Sequence, residues 1–269
     1  MVEKNLPKLI TFDGEARSGK GTIVQATKDY LRDESGYKVM LIDAGQVFRV
    51  LVVAATRAGI NLDDQAAIDE FLADEAEVER CVELVKQVYR MSKDERDNLL
   101  YTNEVGANSA KIGARPLSQA FKDDLLKKWL KNAQAEGYEI VLLDGRALEE
   151  VGNMLENEGL CSYILGLYFI CNPEVGARRT LGYANKEYNQ LDDTERAEVD
   201  ELAAQIKARN AADAERTVQP IVRPAGAKVH HLPEVITVEQ KMHLIDTSAK
   251  MSKVDMSRPI EQLVAATLK

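Results

Sequence analysis

Apolar residues in this chain gather in short, nearly unbroken runs, and between those runs they recur at helical spacing. The runs are Leu9-Ile10-Thr11-Phe12, halted by Asp13-Gly14, then Lys38 to Asp43, Ile140 to Asp144, Ile164 to Cys171 and Met242 to Asp246. Strands apolar on both faces are what a parallel sheet covered on both sides requires, because neither side meets water. Residues 22 to 32 and Gln46 to Ala58 carry helical patterns, the second stopped by Gly59. Strand alternating with helix predicts an α/β fold built on a five-stranded parallel sheet flanked by helices.

Two segments stand outside that alternation. Residues 60–100 are rich in acids and read as helices with solvated faces, a lobe inserted after the second strand. Residues 174–216 read as a helical pair whose polar middle, Asn185 to Arg196, lacks an apolar pattern; it is expected to be mobile, as a lid is. The predicted core is then 1–59, 101–173 and 217–269. Lys228 to Thr237 fits an edge hairpin or a loop, and no internal repeat is present.

At 269 residues, 45% apolar and 29% charged, the chain has the composition of an ordinary globular protein. Lys and Arg number 35 against 44 Asp and Glu, a net charge of −9, which argues against broad nucleic-acid binding and means that an anionic ligand needs a local basic site. Cys81, Cys161 and Cys171 lie far apart with no C-x-x-C pair, so a reducing, cytoplasmic setting is expected. The polar start, Met1 to Lys8, lacks the apolar run of a secretory leader, and no window approaches the roughly 18 apolar residues of a membrane span. The expectation is a soluble monomer.

The strongest local signal is Gly14-Glu15-Ala16-Arg17-Ser18-Gly19-Lys20-Gly21-Thr22, between a predicted strand and a predicted helix. A phosphate chain needs many donors at close range. Glycines let successive N–H groups turn inward without a Cβ in the way, and the following helix adds its positive end. Lys20 supplies a point charge for the β- and γ-phosphates. Gly21 occupies the position after the lysine, so the hydroxyl that usually ligates Mg²⁺ there is absent, and the metal is expected to be held mainly by water and phosphate oxygens. Asp144, at a strand tip, is the candidate to orient those waters; an acid there also fits a helix N-cap.

The chain resembles the nucleoside monophosphate kinases, and within them the bacterial cytidylate kinases. The resemblance rests on DGEARSGKGT at 13–22, IDAGQVFRVL at 42–51, TNEVGANSAKIGARP at 102–116, LLDGRA at 142–147 and IKARNAADAERTVQPIV at 206–222. It implies ATP- and Mg²⁺-dependent transfer of a phosphoryl group to a nucleotide phosphate, on a P-loop core with an acceptor-binding lobe and a lid. It also implies that Arg49 and Arg146 grip the acceptor phosphate, Arg216 touches that phosphate and the transferring group, Arg209 comes down from the lid helix and Asp213 holds the acceptor ribose. Arg178 and Arg179 resemble the arginines that cover the ATP side, although Gly176 stands where the family often has another arginine. Donor and acceptor are both polyanions, so recurring arginines suit this chemistry: their planar forks neutralise phosphate repulsion and the spread charge of transfer. Arg209 and Arg216, seven apart, are predicted to share one helix face with Asp213 between them; taken without the P-loop, the three read as a solvated salt-bridge ladder.

The departures fall on the base and sugar side. Ala44 stands where the family usually has serine and Ala147 where the cytidylate kinases place aspartate. Ser118 or Arg115 falls where an arginine contacting cytosine is expected, while Ser109 is retained. Glu149 or Arg115 is a substitute for the lost contacts, or the acceptor is not CMP. Three functions remain open: a kinase for CMP or dCMP, a P-loop kinase for another small or modified-nucleotide acceptor, and a nucleotide-binding regulatory module with poor turnover. His230 and His231 read as surface or loop residues, Trp129 as packing and the cysteines as core.

Overall fold

A computed structural model describes residues 6–269; the first five residues, part of the polar stretch Met1 to Lys8, lie outside the described residues. Its central strand, β1 (Lys8–Gly14), pairs in parallel with β3 (Ile140–Asp144) and with β4 (Ser162–Ile170). The sheet continues through β6 (Met242–Asp246) to β5 (Val229–His231), and ends on its other side at β2 (Val39–Asp43), giving the order β2-β3-β1-β4-β6-β5. Among the described residues the sheet has six strands where five were expected. The sixth, β5, lies in the 228–237 stretch left between hairpin and loop: it is only three residues long and only its middle residue is buried, so it carries no apolar run to read. It is held by parallel pairing with β6 instead.

Helices α1 (Lys20–Asp29) and α11 (Lys253–Leu268) pack against each other, their apolar faces joined to the strands in one core that includes Ile10, Phe12, Ile23, Leu167, Ile245 and Leu263. The register sets Phe12 beside Asp144 and Gly14 beside Phe169, so the loop after β1 leaves at the carboxyl edge of the sheet, where open α/β folds keep their ligands. After β3 the chain turns through Arg146 into α8 (Leu148–Asn157).

Residues after β4 form α9 (Pro173–Thr180), a single 3₁₀ turn at Tyr188–Gln190 and α10 (Asp193–Ala214). Ala177, Leu191, Val199, Ala203 and Ile206 give this pair its own small core, into which Ala16 of the first loop is also packed. The polar middle of the segment is pinned by side chains that an apolar pattern does not reveal: Tyr183 and Tyr188 donate to Glu198 and Asp200 at 2.7 and 2.9 Å, and Lys186 pairs with Glu195.

The structure divides into two compact units, the chain up to Ile42 with Leu130–Lys269, and Asp43–Trp129. The second contains α2 (Ala44–Arg57), α3 (Gln65–Ala73), α4 (Glu75–Arg90), α5 (Lys93–Leu100), α6 (Asn103–Gly113) and most of α7 (Pro116–Ala135). Several of its acids are helix caps: Asp43, Asp64 and Asp74 each accept first-turn N–H groups, satisfying donors that a helix start otherwise leaves orphaned. Its core runs through Val47, Leu51, Ile68, Leu84, Val88 and Leu100, and Trp129 packs edge-on to Tyr89 with ring centroids 5.2 Å apart. All three cysteines are buried and free. Among the described residues no helix is long and apolar enough to cross a membrane.

Candidate active site

The loop from Gly14 to Gly19 begins with an enforced glycine. Gly14 has φ +138°, and a Cβ there would overlap the Phe169 carbonyl, which accepts from Glu15 N–H at 2.8 Å. Gly19, at φ +83°, begins α1 without a side-chain cap, so the first amides of the helix face the loop with no side chain to satisfy them. The loop is fastened from outside by Ala16 N–H on Asn210 Oδ1 at 2.9 Å and by Thr247 Oγ1 on the Ser18 carbonyl at 2.8 Å. Ser18 is buried and its hydroxyl has no partner among the described residues.

Lys20 donates to the Gly145 carbonyl at 2.8 Å and pairs with Asp144, so the predicted phosphate lysine and the predicted metal-side acid meet directly. Among the described residues no group of three or more His, Cys, Asp or Glu is arranged to hold a metal ion. A cleft of about 560 Å³ is lined by residues 15–22 together with Asp144, Arg146, Gly176 and Arg179. Met251, Lys253 and Met256 line it too. They come from residues 248–259, which carry none of the motifs read from the sequence; the one signal that could have found them is their position just after the strand ending in Asp246.

Asp213, with a side chain 3% exposed, is the hub of the predicted arginines. Arg146 and Arg216 both pair with it, and Arg209 Nε stands 3.9 Å away. Three cations on one buried anion leave a surplus of positive charge. Burial, aided by the neighbouring Arg146, pushes the Arg216 guanidinium below its ordinary pKa. One prediction needs correction: α10 ends at Ala214, so Arg216 lies beyond the helix and not on a shared face with Arg209. No glycine marks that end; the chain turns at Glu215 and the Ile221 N–H reaches back to the Asp213 carbonyl at 3.0 Å.

A second buried carboxylate, Asp13, accepts from Gly14 N–H at 2.6 Å and from Leu148 N–H at 2.7 Å, tying the phosphate loop to the turn that carries Arg146. Burial pushes its pKa up to about 6 against the lowering effect of those amides and of Lys20. Ala147 in that turn has φ +55°, a left-handed conformation that costs a non-glycine residue energy. In α9, Arg179 donates to the Thr247 and Ala249 carbonyls at 2.7 Å and lines the cleft. Arg178 is buried and donates to Glu174 at 2.7 Å and to the Lys186 carbonyl, so it braces α9 from inside.

Within the Asp43–Trp129 unit, the Arg49 guanidinium lies 4.6 Å from the Tyr101 ring centre and donates to the Leu100 carbonyl at 2.9 Å. Tyr101 donates in turn to Asp43 at 3.0 Å, and Ser109 donates to the Gly106 carbonyl at 2.8 Å. Arg115 pairs with Asp69 and donates to Gln65 at 2.8 Å. Ser118 is fully buried and its hydroxyl has no partner among the described residues.

A family model for cytidylate kinase matches residues 10–240. The chain belongs to the cytidylate kinase family. It is similar to the cytidylate kinase of Pseudomonas fluorescens (strain Pf0-1), 26% identical over 244 residues covering 90% of this chain and 94% of that protein. The cytidylate kinase of Shewanella pealeana is 29% identical over 224 residues, covering 82% and 86%. The chain is therefore a nucleoside monophosphate kinase, a phosphotransferase.

Proposed function

We propose that this kinase moves the γ-phosphoryl group of ATP onto a nucleoside monophosphate, with CMP or dCMP as acceptor. The observation that carries the reading is Arg146, a guanidinium that lines the phosphate-loop cleft while sharing buried Asp213 with Arg216. In this reading Gly14, Arg17, Ser18, Gly19, Gly21 and Thr22 cradle the donor with Lys20, and Arg179 covers it. Arg178 supports the lid. Arg49, Ser109, Arg146 and Asp213 take the acceptor, and Lys20, Arg209 and Arg216 neutralise the charge that spreads as the phosphoryl group moves. Mg²⁺ supplies charge neutralisation on the donor phosphates when bound. An ion of this kind would be held mainly through water and phosphate oxygens, with Asp144, beside Lys20, orienting the waters. Residues 60–100 then belong to the acceptor-binding lobe and 174–216 form the lid.

A second reading keeps the chemistry and changes the acceptor. Ala44 and Ala147 lack the polar groups of the resembling family, and Arg115 is already engaged with Asp69 and Gln65. A base-reading site stripped of a partner loses discrimination sharply. Coupled measurement of ADP formation against a panel of nucleoside monophosphates separates the two: preferential stimulation by CMP or dCMP supports the first, stimulation by another monophosphate the second, and stimulation by none removes both.

A further inference from the structure

Arg17 combines three features that no other residue of the cleft combines. Its backbone is left-handed, φ +58°, a conformation costly for any residue with a Cβ. Its side chain is exposed, lines the cleft and makes no hydrogen bond or ion pair among the described residues. The other two arginines of the cleft are committed, Arg146 to Asp213 and Arg179 to the Thr247 and Ala249 carbonyls. Finally, helix α9 is cut away to admit it: Gly176 occupies the helix interior, where glycine is unfavourable, and a Cβ there would stand 3.0 Å from the Arg17 carbonyl and 3.3 Å from its Cβ.

Two unfavourable choices thus meet at one contact, and their joint result is an unpaired guanidinium at the mouth of the phosphate loop. Local strain of this kind persists where the surroundings over-determine it, and here they do: Ala16 is packed into the α9–α10 core and its N–H is held by Asn210.

We propose that Arg17 is a catalytic residue of the donor side, its guanidinium gripping the terminal phosphoryl group of the bound nucleoside triphosphate. Gly176, the gap in α9, leaves the room that its backbone needs. This rests on the phosphotransfer reading above. In the step concerned, an acceptor phosphate oxygen forms a bond to the γ-phosphorus as the bond to the β,γ-bridging oxygen breaks. The bonding pair leaves with ADP, and the product is the nucleoside diphosphate, with no net proton exchanged between dianionic acceptor and fully ionised donor. A forked donor on the γ-oxygens neutralises charge that grows along this path, which the lone ammonium of Lys20 supplies only in part.

The test is Arg17→Gly, which removes the guanidinium while adopting φ +58° without strain, so the fold is retained and melting temperature does not fall. The expected result is a kcat about 100-fold lower and an affinity for ATP, in calorimetry, about tenfold lower, with ADP affinity unchanged within about twofold. Arg17→Lys, keeping the charge without the fork, falls between. The proposal is overturned if Arg17→Gly keeps kcat within about threefold of wild type, or if ATP and ADP lose affinity equally. Absence of monophosphate-stimulated turnover in the wild-type kinase would instead remove the phosphotransfer reading itself, so the two failures are distinct.

Discussion

Around Asp213 three guanidinium groups crowd one buried carboxylate, whereas around Asp69 a single guanidinium meets a single, half-exposed carboxylate. The two regions use the same residue types for different ends. A balanced pair is complete in itself and holds α3 to the end of α6. A cation surplus at low exposure is incomplete: desolvating several positive charges against one negative is unfavourable unless a further anion completes the site. Surplus, more than the number of ion pairs, separates the Asp213 cluster, proposed to handle phosphate, from the Asp69 pair.

The largest effect expected from breaking that contrast is on turnover. Arg216→Ala should lower kcat by about 10³-fold or more, as loss of an arginine at a transferring phosphate does; a coupled ADP assay with the preferred monophosphate reads it, and a loss under tenfold would put Arg216 outside the chemistry. Next comes Asp213→Ala, which leaves Arg146 and Arg216 facing each other without a counter-charge. Stability should fall by about 3–5 kcal/mol in urea unfolding, and inorganic phosphate should restore part of the loss by binding the folded state; a loss indifferent to phosphate would mean that no anion belongs there.

Asp13 sharpens the contrast, because it is a buried carboxylate hydrogen-bonded by two backbone amides and not by guanidinium groups, with Lys20 and Arg146 acting on it only as nearby charges. Its pKa is raised from 3.8 to about 6, so between those values the folded state holds the proton more tightly than the unfolded one. The sign follows: this group's contribution falls as pH climbs from about 4 to about 6, by up to about 3 kcal/mol. Unfolding measured across that range should show the slope in wild type and lose it in Asp13→Asn; an identical slope in both would assign it elsewhere. The smallest effect is expected at the balanced pair. Arg115→Ala should cost about 1 kcal/mol or less and leave kcat within about twofold, whereas a tenfold rise in KM for one monophosphate alone would make Arg115 a reader of the base.

Much of this was legible in the chain itself. The strand, glycine-rich loop and helix from Leu9 to Asp29 carry their own signals, since local apolar runs and glycine spacing dictate them. β5 was not legible, because three residues held by a neighbour's ladder need no pattern of their own. The end of α10 before Arg216 escaped for a related reason, as the chain turns there without glycine. The Arg17–Gly176 contact joins a loop and a helix far apart in sequence, and a backbone angle leaves no trace in composition. The adjacent histidines show the same limit: read as surface residues, one of them, His230, is buried and meets His243 of β6 at 3.1 Å, a partner that only strand order reveals.

The brevity of β5 has a consequence for life in a crowded solution. A sheet margin invites foreign strands in proportion to the row of unsatisfied amides and carbonyls it offers, and here that row spans only Val229 to His231 before the chain turns away. So short a template gives an intruding segment little to zip onto, which protects the sheet from edge-to-edge aggregation on that side.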